Sequence, residues 1–186
     1  MNDTLNFIKN RFSCRNFSDR IPSAEQIDAI ARSAIEAPSG MNRQAWQVIF
    51  VENRALMDEM EKEGLRMLEE KDDMAYQRIL SRNGGLFYHA PCLFMLAVKK
   101  ADTQGSELVD LGIMAENIVI AATSLGLASL HCGLARLAFE GNKAEEFKYR
   151  LAFPEGYEFG LAVLIGYANQ PGTPHEPDLS KITYIR

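Results

Sequence analysis

The sequence predicts an α+β fold that forms one domain over residues 1–186. Its composition, 47% hydrophobic and 24% charged, is typical of an ordinary globular domain. Helical and strand patterns are mixed without the strict alternation of βαβ units, which favours α+β over a doubly wound fold. No G-x-G-x-x-G motif follows a strand, so the sequence does not support a Rossmann dinucleotide site.

Apolar spacing and helix-end signals predict the elements of the first half of the chain. Ser23 and Gln26 fit a capping box, and the apolar residues after them have the spacing of an amphipathic helix. Pro38 and Gly40 stop that helix, because proline disfavours helix in the residue before it and glycine loosens the next turn. The other predicted elements are a short helix over residues 3–11, a buried strand over 46–51 and one or two helices over 54–82.

One long helical pattern over residues 106–125 dominates the second half. It is apolar nearly all round from residue 111 to residue 122, so we expect it at the centre of the fold. Asn142 and Glu145 fit the start of a further helix that reaches about residue 150. Strands are predicted over residues 92–98, 127–132 and 159–165. The proline-containing tail, residues 168–186, is expected to be extended without packing on its own body, and residues 182–185 have strand composition.

Charge and composition argue against several classes of partner. The net charge of −5 disfavours nucleic acid or an anionic membrane, since both select for a basic face. No apolar run approaches the roughly 20 residues of a membrane span, and the N-terminus lacks a signal-peptide pattern. The sequence has 3 cysteines without a C-x-x-C pair and 3 histidines without H-E-x-x-H. These features predict a cytoplasmic, reduced protein without a metal site.

The first candidate site is formed by Arg11, Ser13 and Arg15. In an extended backbone, alternate side chains point to the same side, so two guanidinium groups and a hydroxyl converge. Arginine suits a phosphate, because its planar donors match pairs of phosphate oxygens. Short R-x-S-x-R strings are common, and the spacing alone favours a solvated basic turn over a phosphate site.

The second candidate site is the segment over residues 38–46, which joins a helix to a buried strand. Ser39, Asn42 and Gln44 offer donors and acceptors, and Gly40 allows backbone to approach a flat ligand. Such groups suit the alternating carbonyls and nitrogens of a flavin ring edge. The alternative is a turn whose polar side chains satisfy their own backbone.

The third candidate site is the segment over residues 126–133. A flavin needs a backbone N–H near N5 and O4 to stabilise the reduced, anionic ring, and the Cys132-Gly133 peptide is a candidate for this donor. A different interpretation makes Cys132 a nucleophile with His131 as its base, but adjacent residues rarely aim their side chains at each other. His131 is equally compatible with a packed structural histidine.

Taken in chain order, these segments resemble the nitroreductase family of FMN-dependent oxidoreductases. Each motif is weak alone, but their ordered combination covers nearly the whole chain and is specific. The matching segments are RFSCRNF from residue 11, APSGMNRQAW from 37, YHAP from 88, DLGIMAEN from 110, GLAS from 126 and LIGY from 164.

The resemblance implies a homodimer with FMN at the interface, a central mixed or antiparallel sheet flanked by helices, and a C-terminal extension that reaches the partner. It implies ping-pong hydride transfer from NADH or NADPH through FMN to a small acceptor such as a nitroaromatic or quinone, without a side-chain nucleophile. The implied FMN contacts are Arg11, Ser13 and Arg15 at the phosphate and ribityl chain; Phe12 through its backbone; Pro38, Ser39, Gly40 and Asn42 of the partner at the ring system; and Leu130, His131, Cys132 and Gly133 at the other ring face, with the Gly133 amide near N5.

The chain departs from the family pattern in its tail. Family members often carry a basic pair there that reaches the phosphate, whereas this chain offers only His175, or Lys181 if the register slips. The phosphate therefore depends more on Arg11 and Arg15. The span between residues 51 and 91 is short, so any lid over the substrate is small. A non-catalytic FMN storage or sensor protein, or a specialised reductive or flavin-fragmenting enzyme, stays open as an alternative.

Overall fold

The computed structural model describes residues 2–81, 85–100 and 106–186, and it confirms the predicted α+β architecture. Short 3-10 turns are formed by Gly40–Asn42, Gly133–Phe139 and Leu179–Lys181. The helices and strands, in chain order, are α1 Asp3–Asn10, α2 Ala24–Ile35, β1 Trp46–Val51, α3 Arg54–Lys71, α4 Asp73–Ser81, β2 Cys92–Lys99, α5 Ser106–Ser124, β3 Ala128–Cys132, α6 Ala144–Arg150 and β4 Tyr157–Gly166.

The four strands form one antiparallel sheet in the order β1-β2-β4-β3. Strand β2 pairs with a neighbour on each side, and its residues Cys92 through Ala97 are 0% exposed. A continuous apolar run of this kind is typical of a strand covered on both faces. Leu93 of β2 pairs with Val51 of β1 on one side and with Leu164 of β4 on the other, so large side chains meet across the sheet.

The sheet separates two hydrophobic clusters. Phe94 and Leu96 of β2 point toward α5 and α2, where they join a cluster containing Met114 and Ile118. Alternate residues of the same strand, including Met95, point to the other face, which α3, α6 and the 3-10 turn after β3 cover. This alternation follows from the two-residue period of a strand.

Helix α5 is central in its second half, as predicted, but its first turns are not buried in one protomer. Met114, Ile118 and Ala122 are 0% exposed, whereas Leu108 and Val109 are 66% and 63% exposed. A helix that is apolar all round needs cover on every side. The first turns of α5 are therefore not covered by the described residues of the chain.

Three details of the sequence prediction are wrong. Helix α6 begins at Ala144, and its N-cap is Lys143 without a side-chain hydrogen bond, so Asn142 does not cap it. Residues 182–185 are exposed and form no strand among the described residues, despite their strand composition. The start of the tail packs on the body, since Asn169 N–H donates to the Asn16 carbonyl at 3.1 Å.

Two classes of feature are absent from the described ranges. Among residues 2–81, 85–100 and 106–186, no helix is both long and apolar enough to cross a membrane. Within the same ranges, no three His, Cys, Asp or Glu residues are grouped so that they could hold a metal ion.

Candidate functional site

Residues 11–15, here called the arginine segment, begin where α1 ends and run beside β3. Arg11 is the C-cap of α1, with an extended backbone conformation (φ −60°, ψ 136°). Ser13 forms a parallel bridge with Ser129, and the Cys14 N–H donates to the Ser129 carbonyl at 2.9 Å. The segment is therefore held in the extended form that the alternating spacing predicted, next to the third candidate segment.

The two arginines of this segment have no acidic partner in the part of the chain that the structure describes. No carboxylate of the described residues lies within 4.0 Å of the Arg11 or Arg15 guanidinium, and Arg15 donates only to the Ser13 carbonyl at 3.4 Å. Many other arginines of the chain are paired with carboxylates: Arg32, Arg43, Arg54, Arg66, Arg136 and Arg150. A pair of uncompensated guanidinium groups beside a serine hydroxyl is suited to a dianion.

Phe12 lies under the start of the tail. It lines a cavity of about 290 Å³ together with residues 126–128 and residues 167–171. A Cβ added to Gly172 would lie 2.0 Å from Phe12 Cδ2, so the tail backbone crosses directly over this ring. Farther along the tail, His175 and Lys181 have no described hydrogen bond or ion pair to the arginine segment, and Lys181 Nζ lies 3.9 Å from Asp178.

The loop over residues 38–45 is held in an unusual backbone conformation. Met41, Asn42 and Gln44 have φ values of 55°, 54° and 48°. Non-glycine residues adopt this left-handed region only where their surroundings impose it. The Gly40 N–H donates to both carboxylate oxygens of the buried Asp110, at 3.1 and 3.2 Å, which ties the loop to α5.

The polar side chains of this loop satisfy one another within one protomer. The Gln44 N–H donates to Ser39 Oγ at 3.0 Å, and Gln44 Nε2 donates to Asn42 Oδ1 at 3.0 Å. The sequence is compatible with a turn whose polar side chains bond within the loop and with a loop that binds a ligand. The hydrogen bonds of the single chain are those of the first kind. Pro38, Gly40 and Asn42 are nevertheless exposed, so their outer surfaces are free to meet a ligand or a second chain.

Sequence reasoning included Asp110 only within the segment that begins at residue 110 and gave it no role of its own. We expect this residue to organise the loop. Asp110→Ala removes both acceptors of the Gly40 N–H. We expect it to lower the free energy of unfolding by about 1.5–3 kcal/mol, the usual effect of losing a hydrogen bond to a charged group. Urea unfolding measures this loss, and Asp110→Asn, which keeps one oxygen acceptor, is expected to recover part of it. Equal stability of the wild-type and Asp110→Ala proteins would contradict the assignment.

At the end of β3, the buried side chain of Cys132 is followed by the exposed backbone of Gly133. The Cys132 thiol donates to the Leu86 carbonyl at 3.3 Å, and burial raises the pKa of this thiol to about 11. A thiol with this pKa is almost entirely protonated at neutral pH, so it is a poor nucleophile. The next residue, Gly133, is exposed, and nothing lies within 4 Å of where its Cβ would be.

His131 packs against α5. Its Nε2 atom lies 3.9 Å from a carboxylate oxygen of Glu116, and its side chain is 34% exposed. Desolvation lowers the pKa of this histidine, and it outweighs the raising effects of Glu116 and the Ala115 carbonyl; nearby Arg11 lowers it further. His131 is therefore mostly neutral at pH 7 and does not face Cys132 as a base.

Replacing Cys132 tests the nucleophile interpretation directly. We expect Cys132→Ser to keep turnover within about twofold of wild type, because its hydroxyl still donates to the Leu86 carbonyl and no thiolate is needed. Steady-state turnover and inactivation by a thiol-alkylating reagent measure this, with Cys92→Ser as the matched buried control. A loss of turnover confined to the Cys132 variant would instead support the interpretation of Cys132 as a nucleophile.

One protomer brings two of the three candidate segments together. The arginine segment pairs with β3 and lies near His131, whereas the loop is tied to Asp110 at the start of α5. No described hydrogen bond or ion pair joins the loop to the arginine segment.

Comparisons with known proteins agree on one family. The model of the family described as "Nitroreductase family" matches residues 8–167. A putative NADH dehydrogenase/NAD(P)H nitroreductase from Methanothermobacter thermautotrophicus is 26% identical over 92% of this chain and 81% of its own length. An FMN reductase (NADPH) from Bacillus subtilis is 30% identical over 88% of this chain and 66% of its own length.

Solved structures share both sequence and fold with the chain. A nitroreductase with bound FMN from Desulfitobacterium hafniense DCB-2 is 53% identical with a TM-score of 0.96, and 100% of each chain is covered. A nitroreductase with bound FMN from Bacteroides fragilis NCTC 9343 is 25% identical with a TM-score of 0.90, again over 100% of each chain.

Proposed function

Because the chain belongs to the nitroreductase family, we propose that it is an FMN-dependent NAD(P)H oxidoreductase that delivers hydride to a small acceptor such as a nitroaromatic or a quinone. Two similar solved proteins carry FMN, and similar curated proteins are named as NAD(P)H nitroreductase and FMN reductase. The observation that carries the proposal is the arginine segment, whose two guanidinium groups lack acidic partners and lie beside β3.

The arginine segment is the proposed phosphate site. Arg11, Ser13 and Arg15 would hold the phosphate and ribityl chain, with Phe12 contributing backbone. The extended backbone and the bridge to Ser129 support this assignment, because they fix the spacing of the donors before the ligand arrives. His175, or Lys181, is the proposed contact of the tail with the phosphate. The uncompensated arginines support the view that the tail adds little to phosphate binding.

The isoalloxazine ring is proposed to lie against the end of β3. Leu130, His131 and Cys132 would form one wall, and the Gly133 N–H would lie near N5. The open space over Gly133 supports this position, because a flat ring needs backbone without a Cβ in its path. FMN, when bound, supplies the hydride-transfer chemistry. The chain would bind and orient the ring, which agrees with a Cys132 thiol too poorly acidic to act as a nucleophile.

The active unit is proposed to be a homodimer with FMN at the interface. Pro38, Ser39, Gly40 and Asn42 of the partner would complete the ring site. This is supported by two observations: no described hydrogen bond or ion pair joins the loop to the arginine segment of its own chain, and apolar side chains are exposed on two helices that pack together. These side chains are Leu5 and Ile8 on α1 and Leu108, Val109 and Ile113 on α5. Exposed apolar surface of this kind is typical of interfaces. The proposal includes a cytoplasmic location, supported by three buried free thiols.

The colour and reactivity of purified protein test this function. We expect a yellow protein whose flavin absorbance is bleached by NADH or NADPH and restored by a nitroaromatic or quinone. A colourless protein that does not bind added FMN would contradict the proposal. Tight FMN binding without any oxidation of NAD(P)H would instead support a storage or sensor role.

A further inference from the structure

A second cavity lies beside Gly133, and none of its lining residues belongs to the arginine segment. It has a volume of about 550 Å³ and is lined by Gly133, Leu134, Arg136, Phe159 and Gly160. It is large enough for a single aromatic ring with substituents. Nothing lies within 4 Å of where the Cβ of Gly133 would be, so this wall of the cavity is open, and Arg136 is the charged residue that lines it.

Arg136 is placed by the 3-10 turn Gly133–Phe139. In a 3-10 helix, residues three apart lie on the same face, one turn or about 6 Å along the axis. The Arg136 side chain therefore projects from the same face as Gly133, the residue whose N–H is proposed to lie near flavin N5. The side chain is 54% exposed, so its guanidinium can reach a molecule in the cavity.

The acidic neighbour of Arg136 is shared with another cation. Arg136 Nε lies 3.6 Å from one oxygen of Glu140, which is too long for a hydrogen bond. The other oxygen of Glu140 is in close contact with Lys71 Nζ. Because Glu140 is shared between two cations, it does not fully neutralise the guanidinium of Arg136. This electrostatic environment favours an anion.

Phe159 provides a rigid aromatic wall for the same cavity. Its ring stacks on Phe139 with centroids 5.0 Å apart and an interplanar angle of 19°. Phe139 in turn stacks on Phe153 with centroids 5.6 Å apart. A ring that is fixed by a stack of this kind offers a preorganised surface to a flat ligand.

We propose that this cavity selects planar aromatic electron acceptors that carry a carboxylate or similar anionic group, with Arg136 as the specificity-determining residue and Phe159 as the apolar wall. The inference rests on the proposed function, since it places the acceptor beside a flavin at Gly133. With 4-nitrobenzoate as probe, the balanced first step is 4-nitrobenzoate + NADPH + H⁺ → 4-nitrosobenzoate + NADP⁺ + H₂O. The carboxylate takes no part in this reaction and serves recognition alone.

Matched anionic and neutral acceptors test the proposal on the FMN-loaded protein. We expect the KM for 4-nitrobenzoate to be about tenfold lower than that for 4-nitrobenzamide, and Arg136→Gln to remove this preference. Arg136→Lys is expected to retain part of it, because the charge is kept while the planar donors are lost. The KM for 4-nitrobenzamide should stay within about twofold in both variants.

A control and a binding measurement separate recognition from turnover. Arg32→Gln is the matched control, because Arg32 also pairs with a carboxylate four residues away but lies on α2. Benzoate and benzamide do not accept electrons, so their dissociation constants can be read from the flavin absorbance spectrum of the oxidised protein. Arg136→Gln is expected to weaken benzoate binding about tenfold and to leave benzamide unchanged.

Three outcomes would overturn the proposal. The first is an equal change in the KM values of both acceptors in Arg136→Gln. The second is a change confined to the KM of NADPH, which would show that Arg136 binds the reductant. The third is an unchanged benzoate affinity. In each case, a flavin that NAD(P)H still bleaches and a protein that still reduces 4-nitrobenzamide would continue to support the proposed oxidoreductase function. A flavin that NAD(P)H does not bleach would contradict that function itself.

Discussion

Arg11→Ala and Arg15→Ala are each expected to weaken FMN binding by roughly 10- to 100-fold, which corresponds to about 1.5–3 kcal/mol for a hydrogen bond to a charged group. Neither guanidinium has a described carboxylate partner, so removing it leaves no buried acidic group behind and changes the protein stability little. The Arg11 variant should show the larger effect. Arg11 is partly buried and Arg15 is exposed, and water and salt screen an exposed charge more strongly.

Equilibrium titration with FMN, followed by flavin fluorescence, measures these affinities. Arg78→Ala is a suitable control, because Arg78 is exposed on α4 and belongs to no described ion pair. Arg11→Lys should retain part of the affinity, since a lysine keeps the charge but not the paired donors. If both alanine variants keep full flavin on dilution, the phosphate is bound elsewhere in the chain.

The parts of the fold that the sequence predicted well are those determined by local signals or by burial. Strand β1 has the predicted bounds, and Ser23 and Gln26 form both hydrogen bonds of the predicted capping box. In these regions, the residue pattern and the tertiary environment favour the same structure. Asn142 shows the opposite case, because the turn before α6 continues one residue further than the capping pattern indicated.

The candidate site was predicted only in part, because its geometry depends on contacts between distant residues. The extended form of the arginine segment could be inferred from alternating residues. Its alignment with Ser129 could not, since more than a hundred positions separate them in the sequence. The left-handed conformation of Met41 likewise has no local signal, because it is maintained through Asp110, 70 residues away from Gly40. The cavity at Arg136 went unnoticed because no element was predicted over residues 133–139.

The largest effect is expected from substitutions in the exposed first turns of α5. Val109→Glu and Ile113→Glu each place a carboxylate on a surface that we propose to be the dimer interface. Burying an unpaired charge costs several kcal/mol, and two-fold symmetry introduces the charge twice. We therefore expect monomeric protein with little bound FMN, because the partner's loop over residues 38–42 would no longer complete the ring site.

Size-exclusion chromatography with light scattering and the flavin-to-protein absorbance ratio together measure this coupling. Met74→Glu and Tyr149→Glu are matched controls, because both residues are more than 80% exposed on helices outside the proposed interface. Circular dichroism establishes that each variant is folded. The controls should remain dimeric and yellow. A folded Val109→Glu monomer that retained full FMN would show that one protomer holds the cofactor alone, and the loop would then lose its proposed role as the partner's contribution to the site.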